Sequence, residues 1–422
     1  MPGTRFNPFY IEGWALGTSY PIPQPQWETI CTESTRRGDI ATLYLQPCSV
    51  WAGLPNYSDF AAEWRTAYCN APPPADPQAP PTSFMGVCPR PPSWGDYFVT
   101  TFCNQFQGKY KDMGWGAVYF DCTTVPVCDN ADHGCGYMDE FGVRQGEQRY
   151  REHRAVQRRF YTAMKERWPE KRLFNHESGS LNMAQLGFCE GMIDGEHLCL
   201  ALPPDNFSYN KILPLERMRA EFMGHNFGFV PIFLPEFTRA SAGNAAVTSR
   251  FMVDQEPPEV MHLLGLLLLH DIVPWPAYSN ETPYLHWWAV QDAFGWGDTV
   301  EFLPYWNNGD TVTVSPADPN LVCTLYRRPG KLLLVVMNNT DTDHEATLAL
   351  NPAKLGVTAS SALDAWKAVS FQGVSHQPDP ARPNSWPATP VEIKGSEERL
   401  PLANNAVALP VGKRSFRLLA LP

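Results

Sequence analysis

The stretch Gly116-Ala117-Val118-Tyr119-Phe120-Asp121 joins a short apolar run of strand length to a carboxylate at its end. Valine, tyrosine and phenylalanine are residues that favour strands, so the run predicts a buried β-strand. The same kind of run recurs along the first part of the chain, each time with turn residues around it. These further runs cover residues 9–16, 40–45, 83–87, 172–175, 191–193, 229–234 and 272–277.

Helical patterns lie between these runs. The clearest covers residues 147–168, in which apolar residues recur every four positions from Val156 to Trp168, and Pro169 ends the pattern. Strands that alternate with helices build βαβ units and a parallel sheet. Eight such units over residues 1–297 predict an α/β fold, specifically a (β/α)8 TIM barrel that carries the active site.

The pattern changes after residue 297. Short strand-like runs follow one another between residues 311 and 420, with turn residues between them and no helical period. This arrangement predicts a C-terminal antiparallel β-sandwich over residues 298–422. The proline-rich stretch 377–390 is predicted to be a long surface loop within it.

Composition and charge exclude several classes of protein. Of the 422 residues, 44% are hydrophobic and 18% are charged, which is typical of a chain with a packed core. The net charge of −11 argues against nucleic acid or an anionic membrane as partner. The longest uncharged apolar run, Leu263 to Leu269, is too short to span a bilayer. No glycine-rich nucleotide motif and no Gly-x-Ser-x-Gly elbow occurs, so no cofactor is expected.

The cysteines and the first residues bear on the cellular location. Eleven cysteines are scattered over a long chain, unlike the disulfide framework of a small secreted domain. The start, Met-Pro-Gly-Thr-Arg-Phe, has no apolar signal-peptide region. The chain as it stands is therefore expected in the cytoplasm, and outside the cell if a leader has been removed. The location stays open on this basis, and a homo-oligomer is compatible with the sequence.

Acidic side chains follow four consecutive predicted strands. The active sites of (β/α)8 barrels lie at the carboxyl ends of the strands, so these side chains are expected at one rim. Cleavage of a glycosidic bond needs two carboxyl groups: one protonates the leaving oxygen, and the other attacks the anomeric carbon or activates water. The sequence therefore predicts a glycoside hydrolase that acts on an oligo- or polysaccharide. The carboxylates at these strand ends are Asp121, Glu177, Asp194, Glu196 and Glu236.

The predicted catalytic residues are Asp121, Glu196 and Asp194. Asp121 is assigned as nucleophile or base, and Glu196 or Asp194 as the general acid. Asp194 and Glu196 are two positions apart, so on a strand they share one face. Crowded carboxylates also raise one another's pKa, which keeps one of them protonated. The predicted substrate-binding residues are Glu177, Glu236, His176, His133, Arg239, Trp14 and Tyr44, the last two as aromatic platforms for a sugar ring.

The segment after Asp121 allows a second interpretation. Cys122, Cys128, His133 and Cys135 lie within 14 residues, and three thiolates with an imidazole can hold zinc tetrahedrally. The spacing C-x5-C-x4-H-x-C is not that of a usual zinc finger, and the run fits equally well a loop that lines the site. No metal is therefore predicted. A zinc-thiolate dependent glycosidase and a carbohydrate-binding barrel without catalysis remain as alternatives.

Four motifs, Val118–Asp121, His133–Tyr137, Asn175–Ser178 and Asp194–His197, together resemble a group of bacterial glycoside-hydrolase-like proteins. That group is similar in architecture to retaining α-galactosidase-type and glycoside hydrolase family 123-like barrels. The segment Glu301–Trp306 resembles the start of the β-sandwich that follows such barrels.

The resemblance implies roles by strand order. In the α-galactosidase-like clan, the nucleophile is an aspartate after strand four and the acid/base an aspartate after strand six. This implies Asp121 as nucleophile, with Asp194 or Glu196 as acid. A second clan uses glutamates after strands four and seven, which implies Glu236 as nucleophile. Because the chain carries Asp121 instead of an Asn-Glu pair at strand four, the first assignment is preferred.

Overall fold

The computed structural model describes residues 25–37, 40–51, 57–66, 84–179, 181–203, 207–222, 228–382 and 385–422. The predicted strand at 9–16 and Trp14 lie outside these residues. The described chain forms two compact units, and it passes from the first to the second between Ile193 and Asp194. The predicted domain boundary at 297/298 stays a prediction.

The first unit alternates strands with helices. Its elements are α1 (Pro25–Arg37), β1 (Thr42–Leu45), β2 (Ser49–Trp51), α2 (Tyr57–Trp64), β3 (Phe84–Gly86), α3 (Pro92–Gln107), β4 (Ala117–Phe120), β5 (Val127–Cys128), β6 (Tyr137–Met138), β7 (Arg144–Gln145), β8 (Glu147–Gln148), α4 (Tyr150–Arg167), β9 (Arg172–His176), α5 (Met183–Leu186) and β10 (Gly191–Asp194), with a 3-10 turn at Ala131–His133.

The central strands of this unit are parallel and in register. The order is β1, β4, β9, β10, and each neighbour runs in the same direction. Leu45 pairs with Phe120, and Phe120 pairs with Asn175. Asp121 and His176, each the next residue along its strand, therefore leave the sheet at the same edge.

Two helices cover these strands with an aromatic core. In α3, Trp94, Phe98, Phe102 and Phe106 recur every four residues and are buried. In α4 the predicted four-residue spacing is confirmed as far as Met164, whereas Trp168 caps the helix and is only half-buried. The ring centroids of Phe102 and Phe160 lie 4.6 Å apart, so the two helices pack directly on each other.

The predicted strand at 83–87 forms, but not as a barrel strand. It is β3, and it pairs antiparallel with β2. The N–H of Val87 donates to the Cys48 carbonyl at 2.8 Å, and the N–H of Thr66 donates to the Gly86 carbonyl at 3.0 Å. Because these backbone groups are bonded to loop segments, β3 does not join the parallel strands of this unit.

The second unit starts with helices and two parallel strands, and then becomes mainly antiparallel. Its elements are α6 (Leu215–Glu221), β11 (Val230–Phe233), α7 (Phe237–Ala240), α8 (Ala245–Val253), α9 (Pro258–Leu269), β12 (Val273–Pro274), α10 (Thr282–Phe294), β13 (Glu301–Leu303), β14 (Val312–Ser315), β15 (Leu321–Arg328), β16 (Lys331–Asn338), β17 (His344–Leu350), α11 (Pro352–Leu355), β18 (Ser361–Asp364), α12 (Ala365–Ala368), β19 (Phe371–His376), β20 (Ala388–Ile393), β21 (Arg399–Pro401), β22 (Ala406–Val411) and β23 (Ser415–Leu421), with 3-10 turns at Glu196–Ala201 and Tyr209–Lys211.

The succession of parallel strands, helices and antiparallel strands confirms the predicted α/β class. Strands β11 and β12 are parallel, with Ile232 opposite Val273. After β12, the strands form an antiparallel sheet in the order β13-β15-β16-β23-β18-β21 and a second one in the order β14-β17-β22. Part of the predicted loop 377–390 is instead β20, which pairs with β19.

Strand β16 is buried on both faces. Leu334 and Val336 belong to the core between the two antiparallel sheets, together with Leu348 of β17. Leu333 and Val335, which alternate with them, belong to a core that also contains residues of α9 and α10. Since side chains of a strand alternate between its faces, this double burial explains the unbroken apolar run Leu332–Met337.

Helix α9 packs closely against that sheet. A Cβ added at Gly265 would lie 2.7 Å from the Phe416 ring and 2.9 Å from the Met337 sulfur, so only glycine fits there without movement. The hydroxyl of Tyr326 donates to the Leu268 carbonyl at 2.7 Å, which satisfies a free carbonyl at the helix end. No helix within the described ranges is long and apolar enough to cross a membrane.

Candidate active site

Asp121 is fixed where β4 ends. Its backbone N–H donates to the Leu45 carbonyl at 2.8 Å, which extends the pairing of β4 with β1 by one residue. The next residue, Cys122, has φ 51°, a left-handed conformation that is uncommon for a residue with a side chain. This turn allows the Cys122 N–H to donate back to the Asp121 carboxylate. Such local strain is concentrated at functional sites.

Three side chains surround the Asp121 carboxylate. Nδ1 of His176 lies 2.5 Å from Oδ1, and the Tyr44 hydroxyl donates to Oδ2 at 2.5 Å. The Tyr119 hydroxyl lies 3.3 Å from Oδ1. Burial alone would raise the pKa of Asp121, but the hydrogen bond and charge of His176, with the Tyr44 hydrogen bond, outweigh it and lower the pKa to about 2. Asp121 is therefore an anion at neutral pH.

The ring of His176 is itself held on both sides. Its Nδ1 also lies 2.8 Å from the Tyr119 hydroxyl, and its Nε2 lies 2.6 Å from Oγ of Ser178. Neither Tyr119 nor Ser178 was predicted from the sequence as a site residue. The position of Tyr119, two residues before Asp121 on the same strand, was a usable signal, since residues i and i+2 share a face.

Tyr44 has a polar contact with Asp121, and its predicted role as a sugar platform stays a prediction. Its hydroxyl accepts a hydrogen bond from Nε2 of Gln46 at 2.7 Å while it donates to Asp121. Burial and the Asp121 charge raise the pKa of the Tyr44 phenol, so it stays a donor at neutral pH. The structure thus joins three of the predicted residues, Asp121, His176 and Tyr44, in one hydrogen-bonded group.

Glu177 is buried beside this group. The N–H of Asn182 donates to its Oε2 at 3.1 Å, and Nδ2 of Asn175 lies 3.4 Å from its Oε1. These contacts fix the chain between β9 and α5. Substrate binding by Glu177 stays a prediction.

In the second unit, Asp194 ends β10 and is buried. Its Oδ1 accepts the N–H of Gly195 at 2.6 Å and lies 3.3 Å from Nδ1 of His197. Nε2 of His197 lies 3.6 Å from Oε1 of Glu221. The expectation that Asp194 and Glu196 share a strand face is wrong, because the strand ends at Asp194. Gly195 then takes φ 112°, and Glu196 begins a 3-10 turn.

Glu196, Glu236 and Arg239 form one ionic group. The Arg239 guanidinium contacts Oε1 of Glu196 and lies 2.7 Å from Oε2 of Glu236. The Glu236 side chain is only 3% exposed, whereas that of Glu196 is 27% exposed. Burial raises the pKa of Glu236, Arg239 opposes this by its hydrogen bond, and the charge of Glu196 raises the pKa further. Burial thus favours the protonated form of the Glu236 carboxyl group.

His133 lies in a separate cluster of thiols. The sulfur atoms of Cys88 and Cys135 are 3.7 Å apart, and Nδ1 of His133 is 3.5 Å from the Cys128 sulfur. The interpretation that placed Cys122 in this cluster is wrong, because the left-handed turn at Cys122 leaves that thiol exposed beside Asp121. Cys88 takes its place. The spacing could not reveal this, since Cys88 is 47 residues from Cys135 in the chain.

Comparisons with known proteins identify the fold. No family profile matches the chain. No curated protein matches it either. Solved structures do match: an α-amylase from Geobacillus thermoleovorans in complex with acarbose has a TM-score of 0.56 at 8% identity, over 99% of this chain and 88% of that chain.

Two other solved structures are similar over nearly the whole chain. An α-amylase from Lactobacillus plantarum has a TM-score of 0.54 at 10% identity, over 96% of this chain and 84% of that chain. The cyclic α-maltosyl-(1→6)-maltose hydrolase from Arthrobacter globiformis has a TM-score of 0.51 at 10% identity, over 98% and 85%. The chain therefore has the fold of these glycoside hydrolases, a TIM barrel followed by a β-rich C-terminal region, as the sequence predicted.

Proposed function

We propose that this protein is a glycoside hydrolase that cleaves an O-glycosidic bond in an oligo- or polysaccharide with two carboxyl groups. The observation that carries the proposal is the environment of Asp121. An anionic carboxylate at the carboxyl end of a parallel strand, held by His176, Tyr44 and Tyr119, occurs within a fold shared with glycoside hydrolases. In such folds the strand ends carry the chemistry.

The low pKa suits Asp121 to one of the two roles. A nucleophile or general base must be ionised at the start of the reaction, and Asp121 is. Its hydrogen-bond donors also fix the direction of the carboxylate, so that little reorganisation accompanies attack on the anomeric carbon or on a water. The proton that the leaving oxygen needs must then come from a second carboxyl group.

We propose Glu196 or Asp194 as that proton donor, the residues predicted for this role from the sequence. The raised pKa of Glu236 supports it as a third candidate, since a general acid must hold its proton near neutral pH. Glu196 is the most exposed of the three, which suits contact with a substrate. We therefore propose Glu196 first, with its carboxylate positioned by Arg239, which also contacts Glu236.

The names of the similar structures guide the choice of substrate. They include α-amylases and a hydrolase of a cyclic maltosyl-maltose. We propose α-linked glucose oligosaccharides as the first substrates to test. α-Galactosides come second, because the sequence motifs also resemble those of α-galactosidase-type barrels.

Hydrolysis of a panel of these glycans and of aryl glycosides tests the proposal. We compare the wild type with Asp121→Asn and with Asp112→Asn, a change at an exposed carboxylate outside the site. We expect product from the wild type and from the control, and a loss of at least about 10³-fold in Asp121→Asn, of the size seen when a charge-stabilising or attacking group is removed. Equal activity in all three proteins would remove Asp121 from the chemistry.

Substitutions at the three acid candidates complete the assignment. Aryl glycosides with good leaving groups need little protonation, so loss of the acid spares them while it abolishes cleavage of natural glycans. We expect this selective pattern in Glu196→Gln. The same pattern in Asp194→Asn or Glu236→Gln instead would reassign the acid. Binding of a glycan without turnover of any panel member would support the alternative of a non-catalytic carbohydrate-binding barrel.

A further inference from the structure

We propose that Cys88, Cys128, His133 and Cys135 form a structural zinc site. All four residues are buried, and their ligand atoms lie within 4.8 Å of one another. Three thiolates and one imidazole are a common donor set for structural zinc. The proposal does not rest on the glycosidase activity, and it gives His133 the role of a zinc ligand in place of its predicted role in substrate binding.

The distances fit a tetrahedral ion. With zinc–sulfur bonds of about 2.3 Å and a zinc–nitrogen bond of about 2.0 Å, tetrahedral geometry separates two sulfurs by about 3.8 Å and a sulfur from a nitrogen by about 3.5 Å. Two of the six separations between ligand atoms match these values, 3.7 Å from the Cys88 to the Cys135 sulfur and 3.5 Å from the Cys128 sulfur to His133 Nδ1, and all six are within 4.8 Å. A disulfide would need about 2.05 Å between sulfurs, so Cys88 and Cys135 are free thiols.

The surroundings supply donors to the sulfurs. The backbone N–H of Arg90 donates to Cys88 and that of Asn130 donates to Cys128, each from two residues further along the chain. Nε of Arg149 lies 3.4 Å from the Cys135 sulfur. Three thiolates and one Zn²⁺ carry a net charge of −1, which the Arg149 guanidinium offsets in part, since it also lies 2.5 Å from the Glu147 carboxylate. Donors aimed at buried sulfurs are the partners that metal-bound thiolates need.

His133 is also oriented for ligation. Oδ1 of Asn130 accepts the N–H of Asp132 at 3.0 Å and begins the 3-10 turn that carries the ring inwards. Nε2 of the imidazole lies 3.3 Å from Nδ2 of Asn130, and the ring also hydrogen-bonds the backbone carbonyl of Glu63. A ligating histidine commonly donates its other ring N–H to such an acceptor, which fixes the ring and its tautomer.

The site would be structural and not catalytic. Four protein ligands complete the tetrahedron, and a catalytic zinc needs a position open to water or substrate. The ion would join Cys88, which precedes α3, to the loop between β4 and α4. That loop begins at Asp121, so the ion would hold in place the chain that leaves the candidate active site. With four protein ligands, this ion would have no open position with which to take part in glycosidic bond cleavage.

Metal analysis of the full-length protein, purified without chelators, tests the site. We expect about one zinc per chain in the wild type. Cys88→Ser and Cys135→Ser are expected to reduce zinc to a small fraction of this, whereas Cys122→Ser keeps it. Cys103→Ser controls for the loss of a buried thiol elsewhere in the first unit. Full zinc content in Cys88→Ser, or loss of zinc in Cys122→Ser, would overturn the proposal.

A second measurement keeps the test valid if the serine variants do not fold. Exchange of zinc for cobalt in the wild type should give the intense visible bands of tetrahedral Co²⁺ and charge-transfer bands from thiolate to cobalt. Cys122→Ser should give the same spectrum. A folded wild-type protein that contains no zinc and shows no such bands with cobalt would refute the site.

Discussion

Replacement of Tyr44 by phenylalanine tests how Asp121 is kept ionised. The change removes the hydroxyl that donates to Asp121 Oδ2 at 2.5 Å and keeps the ring, which packs edge-on against Tyr119. A hydrogen bond to a charged group is worth about 1.5–3 kcal/mol, and one pKa unit corresponds to about 1.4 kcal/mol. We therefore expect the pKa of Asp121 to rise by about 1–2 units from its value of about 2.

The pKa is measured by NMR titration of protein labelled with ¹³C at the aspartate side-chain carboxyl carbon, with Asp121→Asn to assign the signal. Tyr119→Phe is the matched control. Its hydroxyl is 3.3 Å from Oδ1 and is shared with His176, so the expected rise is smaller. An unchanged pKa of Asp121 in Tyr44→Phe, or a larger rise in Tyr119→Phe, would refute the reasoning.

The same substitution has a consequence for stability. The folded-state pKa of Asp121 is depressed, so its ionisation contributes stability that is present above the ordinary value of 3.8 and is lost as the pH falls through about 2. Tyr44→Phe is expected to lower the free energy of unfolding at pH 7 by about 1.5–3 kcal/mol. The difference in unfolding free energy between Tyr44→Phe and the wild type should narrow as the pH falls from 3.8 to about 2. Urea unfolding at a series of pH values measures this difference.

Two further predictions concern the second unit. Gly265→Ala is expected to destabilise the protein by about 1–3 kcal/mol in urea unfolding despite the higher helix propensity of alanine, because the methyl group meets buried side chains. Gly297→Ala, where the methyl group meets nothing, is the control, and a gain in stability at Gly265 would contradict the packing argument. Arg239→Gln is expected to raise the pKa of Glu236 and to lower the free energy of unfolding at pH 7 by about 1–3 kcal/mol, and this cost should shrink as the pH falls and Glu236 takes up a proton. A cost independent of pH would show that Arg239 does not act through Glu236, and Arg217→Gln, at an exposed ion pair, should cost under about 1 kcal/mol.

The fold was predictable because its signals are local. Apolar runs such as Gly116–Phe120 and Phe229–Leu234 become strands with nearly the predicted bounds, and the four-residue period before Pro169 becomes α4. The end of a strand was harder to place. Strand β10 ends at Asp194, two residues before Glu196, because Gly195 adopts φ 112°, a conformation open to glycine that turns the chain.

Contacts between segments that are distant in the chain could not all be predicted from the sequence. The carboxyl ends of β4 and β9 were predicted to lie at one rim, and Asp121 and His176 at these ends are in contact. Cys88 was not linked to His133, because no periodicity or spacing connects residues so far apart in the chain. The left-handed turn at Cys122, which allows its N–H to donate to the Asp121 carboxylate, is a property of the folded strand edge.

The double burial of β16 limits how this architecture can be divided. A chain cut at residue 298 would keep both antiparallel sheets but would expose Leu333, Val335 and Met337, which α9 and α10 otherwise help to cover. Each such side chain contributes about 1.5–3 kcal/mol by its burial. The exposed apolar surface would favour aggregation over independent folding. Recombination that moves the antiparallel sheets to another protein must therefore carry α9 and α10 with them. The unit that can be transferred between proteins is thus larger than the two sheets alone.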